Sequence, residues 1–304
     1  MKIQKDKASA VLRQIVKNKD CYLYLFPFYS IFFLFTVLPV LISVFLGFTY
    51  YNAIQPPKFV GFLNYINLFI NDSVFLIAVK NTLIISVFAG PIGYFMSFFF
   101  AWVISELPNK LRAVMTMILY APSISGSAYL VWKLLFSDDS NGYINSWLLS
   151  LGITSSPIQF LTTPKYMLPI VIVVMIWMSM GTGFLSLIAG FQTIDHSMHE
   201  AGYIDGIGNR WQELWFITLP SMKPQLLFSA IMSITGTFGV GSVVTEMFGF
   251  PSTDYGAHTI VNHLHDYGNV RYEMGYACAI ATLLFILMVA VNKIVRNLIS
   301  KVGT

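Results

Sequence analysis

The chain has 304 residues, of which 56% are hydrophobic and 11% are charged, and its net charge is +4. A soluble domain carries about 25% charged residues, so the composition excludes a soluble enzyme or binding domain and indicates an integral membrane protein. The basic residues cluster at predicted helix ends rather than on one face, which argues against nucleic-acid binding. The two cysteines, Cys21 and Cys278, are far apart and offer no disulfide framework or CxxC site.

Six apolar stretches are long enough to cross a bilayer as helices, for which roughly 20 residues are needed. In chain order they are residues 22–49, 74–104, 113–136, 166–191, 224–245 and 272–295. The first is expected to remain as an anchor, because its apolar run far exceeds the ~7–15 residues of a signal peptide. The pattern predicts an all-α membrane protein with six transmembrane helices. One domain would span residues 22–298, between tails at 1–21 and 299–304.

The distribution of lysine and arginine predicts the orientation of the chain. If both termini are cytoplasmic, the loops at 105–112 and 192–222 are also inside, and the loops at 50–73, 137–165 and 246–271 are outside. The basic residues then left outside are Lys58, Lys80, Lys133, Lys165 and Arg271, and all the others are inside. This bias follows the positive-inside rule and supports an even number of spans.

The loop between the fourth and fifth stretches is unusually long for a linker between membrane helices. Residues 189–220 read AGFQTIDHSMHEAGYIDGIGNRWQELWFITLP. Asp195 is placed to cap a short helix, Gly206 and Gly208 allow a tight turn, and a second amphipathic piece follows from Trp211. The pattern predicts a helix–turn–helix on the cytoplasmic face. An interfacial helix that only connects two spans remains an equally good interpretation of the pattern.

Seven residues of this loop fall at a recognisable spacing, namely Glu200, Ala201, Gly202, Gly206, Ile217, Leu219 and Pro220. They resemble the EAA motif (EAA, three residues, G, nine residues, I-x-LP) of permease subunits in binding-protein-dependent ABC importers. Asp205, with the Arg210-Trp211-Gln212 that follows, looks like the carbohydrate-uptake branch. Further likenesses to sugar permeases lie at Leu25-Phe26-Pro27, Leu38-Pro39, residues 59–65, Asn81-Thr82 and Tyr120-Ala121-Pro122.

Two positions depart from the motif. Gly202 stands where the motif has its second alanine, and ten residues rather than nine separate Gly206 from Ile217. The turn after Gly206 is therefore expected to be one residue longer. The large extra outer domain of the maltose-type permease is absent.

The resemblance implies a type I ABC importer fold with a cytoplasmic coupling helix between helices 4 and 5. It implies as partners a second, similar permease, a pair of cytoplasmic ATPases and an extracytoplasmic solute-binding protein, with this chain in a bacterial cell membrane. ATP and Mg would be used by the ATPase, since this chain has no GxxxxGK[ST] sequence, and no cofactor is expected here. The implied ATPase-coupling residues are Glu200, Ala201, Gly202, Asp205, Gly206, Leu219 and Pro220.

A substrate pathway needs polar or aromatic side chains within the membrane. Helix 5 carries a run of small and hydroxyl residues that includes Ser233 and Thr237, which suits either close helix packing or a polar passage. For a sugar we add Asn81, Tyr120 and Trp177 as candidate contacts, because aromatic faces and hydrogen-bonding groups recognise sugars.

Two other features of the sequence are candidate sites. His263, His265 and Asp266 form an HxHD cluster, but the ligand count favours solvated loop residues or contacts to a binding protein over a zinc site. Glu246, at the outer end of helix 5, is either an intramembrane acid or an interfacial one, and its position at the helix end favours the interface. No spacing builds a catalytic set, so an enzyme is not expected.

Three other functions are alternatives to a sugar-importer permease. A permease for amino acids, peptides or glycerol-phosphate compounds would share the same motif. A secondary transporter would be favoured by inverted repeats or several buried charges, and neither is found. A membrane enzyme lacks its catalytic residues.

Overall fold

A computed structural model describes residues 19–300, and the predictions for the outermost tail residues lie outside this range. The described chain is mostly helical. Up to the long loop the helices are α1 (Lys19–Phe32), α2 (Leu38–Leu46), α3 (Leu63–Ile70), α4 (Ser73–Ser105), α5 (Asn109–Ile124), α6 (Tyr129–Leu135), α7 (Tyr143–Ser150), α8 (Pro164–Trp177) and α9 (Thr182–Gln192). They are followed by α10 (His196–Ile204), α11 (Arg210–Glu213), α12 (Leu219–Ser221), α13 (Lys223–Phe238), α14 (Gly241–Phe248), α15 (Ile260–His265) and α16 (Met274–Ile299).

Shorter elements complete the described chain. Strands β1 (Thr49–Tyr50) and β2 (Lys58–Phe59) form an antiparallel hairpin in which Thr49 faces Phe59. A 3-10 turn covers Thr253–Tyr255, and π-helical turns cover Phe33–Val37, Leu214–Thr218 and Asp266–Val270.

The membrane-spanning helices agree with the predicted stretches in four cases. Continuous helical segments long and apolar enough to cross a membrane are Asp20–Leu46, Ser73–Ser105, Pro164–Gln192 and Met274–Ile299. The other two predicted stretches are each a pair of helices, α5 with α6 bent by 81° and α13 with α14 bent by 41°. The described residues therefore hold four candidate spans, or up to six if each bent pair crosses once, which makes this a multi-pass membrane protein.

Small residues let the central helices approach closely. A Cβ on Gly183 of α9 would lie 3.1 Å from the Cα of Ser229 in α13, and one on Gly93 of α4 would lie 2.8 Å from the Cβ of Ser179. Such contacts are typical of helix pairs in membranes, where packing rather than hydrophobic burial holds helices together. Helices α4, α8, α9 and α13 thereby form the centre of the bundle, whereas no residue of the most apolar window in Asp20–Leu46 is buried.

Buried amides fix the loops at the end of the bundle that carries the 50–73 and 246–271 loops. The side chain of Asn81 in α4 donates to the carbonyl oxygens of Tyr255 and His258 at 3.1 and 3.0 Å. Asn64 donates to the carbonyls of Gly47 and Thr49 at 3.0 and 2.9 Å. Because each amide satisfies buried backbone groups, this end is held rigidly. We name this end the outer face and the opposite end, with the 105–112 and 192–222 loops, the inner face, after the orientation that the sequence predicts.

Candidate functional site

The motif loop on the inner face folds as a short capped helix followed by a glycine turn. The Asp195 carboxylate accepts a hydrogen bond from the backbone N–H of Ser197 at 3.0 Å, which starts α10 as predicted. The chain reverses at Gly206, whose φ of +93° is a backbone conformation that glycine adopts readily. The N–H of Ile207 then donates to the carbonyl of Gly202 at 2.9 Å and closes the turn.

The second half of the loop begins with its own cap. Asn209 accepts from the N–H of Gln212 at 2.9 Å, and the Gln212 side chain accepts from the N–H of Gly208 at 3.1 Å. Helix α11 then continues as a π-helical turn over Leu214–Thr218. A π turn contains one residue more than an α turn through its i→i+5 bonds. The additional residue between Gly206 and Ile217 can therefore be accommodated in this π turn as well as in the turn after Gly206, where it was expected.

The glycine that departs from the motif lies at the contact between the two halves. A Cβ on Gly202 would come within 2.5 Å of the Ile217 Cδ1 and 3.2 Å of the Ile207 Cδ1. Gly202 and Ile217 are both buried. The motif residues around Gly202 and the Ile-Thr-Leu-Pro segment therefore form one packed unit, although fifteen positions separate the two residues in sequence.

An ion-pair network joins this unit to the end of α4. The Arg210 guanidinium contacts the Glu106 carboxylate through two hydrogen bonds of 3.0 and 3.2 Å, and Glu213 at 3.3 Å. Glu213, which is buried, also pairs with the Nδ1 of His199 in α10. Bidentate arginine–carboxylate contacts fix geometry as well as charge. The network therefore orients α10 relative to the membrane helices.

Several residues of α10 and of the turn after it are open to solvent. Glu200, Ala201, Asp205 and Gly206 are exposed, and Ile204 is 87% exposed. Glu200 also borders an inner-face groove of about 770 Å³, next to the Arg210 network. Leu219 and Pro220 are half-buried at the end of the unit. A capped helix with an exposed apolar tip and an unburied carboxylate is suited to contact a partner rather than to carry out a reaction.

A second region of interest is a small cavity among the central helices. It has a volume of about 160 Å³ and is lined by the predicted residues Ser233 and Thr237, with Ser97 and Ser229 nearby. The chain is non-helical beside it, between α8 and α9, where Ser97 Oγ donates to the carbonyl of Ser179 at 3.1 Å. Irregular backbone within a membrane protein is tolerated where it is buried or lines a cavity.

The volume limits what this chain encloses alone. Ligand sites usually span about 300–1,000 Å³, so the cavity has room for a few water molecules but not for an oligosaccharide. The Ser233 hydroxyl donates to the carbonyl of Gly90 at 3.0 Å, and the Thr237 hydroxyl to that of Ile234 at 2.9 Å. A complete passage would need further walls.

The other predicted pathway residues do not line this cavity. Asn81 is buried near the outer loop that it holds. Trp177 packs edge-on against Trp132, with ring centroids 5.6 Å apart, and Tyr120 is half-buried in α5 near the bend. The structure therefore brings together only Ser233 and Thr237 of the five predicted residues.

The HxHD residues point to different partners. The His263 Nε2 lies 2.9 Å from Asp72, the Asp266 carboxylate pairs with Arg271 at 2.7 Å, and the His265 ring packs against Phe250. Among the described residues no group of three or more His, Cys, Asp or Glu side chains is arranged to hold a metal ion. Glu246 is exposed, and its carbonyl accepts from Lys133 at 3.2 Å.

Asp72 is a site residue that sequence reasoning missed. Its carboxylate caps α4 by accepting from the N–H of Phe75 at 2.9 Å, and it also accepts from His263, Tyr267 and Tyr276. Burial tends to raise the pKa of this carboxyl, but the hydrogen bond from Phe75 and the proximity of His263 outweigh it, so the pKa is lowered. Burial lowers the pKa of His263. The capping position before an apolar run was the only available signal.

Comparison with known proteins places these features in context. Residues 83–303 match the model of one protein family, whose description is "binding-protein-dependent transport system inner membrane component". The chain is 31% identical to the lactose transport system permease protein LacF of Rhizobium radiobacter, over 89% of this chain and 90% of that protein. It is 28% identical to the arabinooligosaccharides transport system permease protein AraP of Bacillus subtilis, over 91% and 88%.

A solved structure shares the fold. A chain of a bacterial ABC transporter involved in the import of the acidic polysaccharide alginate superposes with a TM-score of 0.75 at 24% identity, covering 97% of this chain and 100% of that one. The same kind of transporter, in complex with an alginate pentasaccharide-bound periplasmic protein, gives a TM-score of 0.73 at 24% identity and 95% and 96% coverage.

Proposed function

We propose that this chain, which belongs to the family of binding-protein-dependent transport system inner membrane components, is a permease subunit of an ATP-driven importer for a sugar or oligosaccharide. Relatives named for lactose and for arabinooligosaccharides, each aligned over about nine-tenths of this chain, support the substrate class. The subunit itself is not catalytic.

The observation that carries the mechanism is the geometry of the motif loop. Helix α10 is held through the Glu213–His199 pair, which Arg210 supports, and it exposes Glu200, Ala201 and Ile204. In our proposal α10 is the coupling helix and fits into a cleft of a cytoplasmic ATPase subunit. Glu200 makes a charged contact, and Gly206 supplies the turn. ATP and Mg are used by that partner.

The remaining coupling residues act within the packed unit. Gly202 allows Ile217 to approach α10, Asp205 follows the helix end, and Leu219 and Pro220 lead into α13. A force applied to α10 would reach the membrane helices through these contacts.

The proposal includes a topology of six spans with both termini cytoplasmic. Each bent pair then counts as one span. Contacts between loops support the assignment of faces, since Glu106 meets Arg210 at one end of the bundle and Asp72 meets His263 at the other. An even number of spans agrees with the excess of basic residues inside.

A second, similar permease completes the passage in this proposal, and a solute-binding protein delivers the sugar from outside. The small cavity around Ser233 and Thr237 supports the first point, because it needs further walls to hold a sugar. The unburied Asp20–Leu46 segment offers surface to that subunit and to the bilayer.

The test is ATP-driven sugar uptake by the complete importer in proteoliposomes. Glu200→Lys is expected to abolish uptake and weaken ATPase binding while the permease stays in the membrane. Glu246→Lys, a charge reversal at an exposed acid on the outer face, is the matched control. Normal uptake and ATPase assembly in Glu200→Lys would refute the coupling role.

A secondary transporter is the alternative from another class. In that case uptake would not need ATP, and it would stop when ionophores dissipate the ion gradients. If instead uptake depends on ATP but the binding protein captures an amino acid or peptide, the permease assignment holds and the sugar assignment is wrong.

A further inference from the structure

The outer face carries an open pocket of about 680 Å³ that the proposed mechanism does not use. Its walls come from β1, from α3 and the start of α4, and from the chain before α16. The lining combines apolar and polar side chains, and the residues that matter below are Tyr50, Asn71, Asp72, Arg271 and Glu273. We call it the outer pocket.

The floor of the outer pocket is built rigidly. Asp72, whose side chain is 9% exposed, accepts hydrogen bonds from a backbone N–H, an imidazole and two phenol groups. One wall is equally fixed, since the Asn64 amide holds two carbonyls and a Cβ on Gly275 would collide with the carbonyl of Thr49. A pocket that is already ordered loses little entropy when a partner binds.

The charge of the outer pocket is negative. Arg271 is its cation, and the Asp266 carboxylate already pairs with it at 2.7 Å. Asp72 is already held by His263 and its other hydrogen-bond donors, whereas within the described chain no cation lies at ion-pair distance from Glu273. Burial lowers the pKa of His263, which disfavours a positive charge on its ring. The pocket is complementary to a cationic side chain.

Apolar side chains next to the lining residues of the outer pocket are exposed, and one of them, Tyr272, has an unusual backbone conformation. Tyr272, between Arg271 and Glu273, has a φ of +59° and is 58% exposed, and Tyr50 and Val270 are 49% and 54% exposed. A bulky side chain at positive φ is strained, and such residues cluster at functional sites. An exposed aromatic residue that is held in this conformation next to the outer pocket resembles the anchor residues of protein interfaces.

We propose that the outer pocket, with Tyr272 at its rim, is the docking site for a protruding loop of the solute-binding protein that carries a lysine or arginine side chain. The cation enters toward Glu273, and the loop backbone meets Asn71 and the Tyr272 ring. This inference rests on the proposed function and specifies one of its contacts. The apolar rim favours a protein over free sugar, since exposed tyrosine and valine gain from burial in a protein interface.

The experiment uses the complete importer in proteoliposomes and titrates the sugar-loaded binding protein while ATP hydrolysis is measured. Glu273→Lys and Tyr272→Ala are expected to raise the half-maximal binding-protein concentration by about tenfold and to leave the maximal rate unchanged. Tyr272→Phe, which keeps the ring, is expected to behave like the wild type. Asp139→Lys, a charge reversal at an exposed outer-loop acid that does not line the pocket, is the matched control.

The outcomes separate this inference from the proposed function. If the wild type shows no stimulation by any sugar-loaded binding protein, the proposed function fails. If the wild type is stimulated but Glu273→Lys and Tyr272→Ala titrate normally, or Asp139→Lys is equally impaired, the docking site is wrong. A lower maximal rate with an unchanged half-maximal concentration would also overturn it.

Discussion

Two glycines in the motif loop differ in one property and provide a controlled test of the coupling turn. Gly206 has a φ of +93°, whereas Gly208, two residues later, does not lie in the positive-φ region. A Cβ added at either position meets no atom within 4 Å. Gly206→Ala therefore introduces backbone strain without a steric clash, and Gly208→Ala introduces neither.

The expected magnitude follows from this conformation. A left-handed backbone costs an L-residue about 1–2 kcal/mol, which corresponds to a factor of about 5–30 in an equilibrium. The turn is closed by the Ile207 N–H, which donates to the Gly202 carbonyl at 2.9 Å. Gly206→Ala should thus increase the open population of the turn by about 5–30-fold, and Gly208→Ala should leave it nearly unchanged.

Site-resolved amide hydrogen exchange of the permease in nanodiscs measures this opening. The Ile207 amide is expected to exchange about 5–30-fold faster in Gly206→Ala, and within about twofold of wild type in Gly208→Ala. ATP-driven uptake is expected to fall in the first variant only. Equal exchange in both variants would show that the turn does not depend on the conformation of Gly206.

Three further predictions concern other positions. Gly202→Ala should change the free energy of unfolding by less than about 1 kcal/mol, because only the mobile Cδ1 ends of Ile217 and Ile207 have to move. Thermal melting tests this, and a loss of several kcal/mol would contradict it. Gly236 is an open position on the cavity, so Gly236→Leu should block uptake without changing the melting temperature. Gly183 packs on the Ser229 backbone, so Gly183→Leu should lower the melting temperature. Burial lowers the pKa of His258 from 6.5 to about 4, so its neutral form stabilises the fold fully above pH 6.5, and roughly 3 kcal/mol of stability is lost as the pH falls toward 4. The melting temperature should therefore depend less on pH in His258→Asn than in the wild type, and an identical pH dependence would refute this.

The membrane helices could be predicted where hydropathy alone decides the structure. The stretches 74–104 and 272–295 correspond closely to α4 and α16. The bends within the third and fifth stretches could not be located, because an apolar run looks the same whether it is straight or broken. The 81° bend follows Pro122, and the 41° bend lies at Gly239. Both residues were visible in the sequence, but they break a helix only where other groups satisfy the backbone.

The motif loop was predictable in its local chemistry. The Asp195 cap and the Gly206 turn depend on residues within a few positions, and the structure has both. The Arg210–Glu106 pair joins residues more than one hundred positions apart, so no local pattern indicates it. The same holds for Asp72, whose partners follow it by about two hundred positions. Long-range polar contacts are the part of the site that needed the structure.

The path from the proposed coupling helix to the cavity is short. The motif loop continues from α9 and leads into α13, and both helices line the cavity, through Thr182 and Gly183 on one and Ser229 and Ser233 on the other. They are locked together near the loop as well, since a Cβ on Gly190 would lie 2.8 Å from Met222. A displacement of α10 must therefore move both walls of the cavity together, because close-packed helices do not deform separately. If the proposed function is correct, a contact between α10 and an ATPase would therefore be transmitted to both of the helices that line the cavity in this chain.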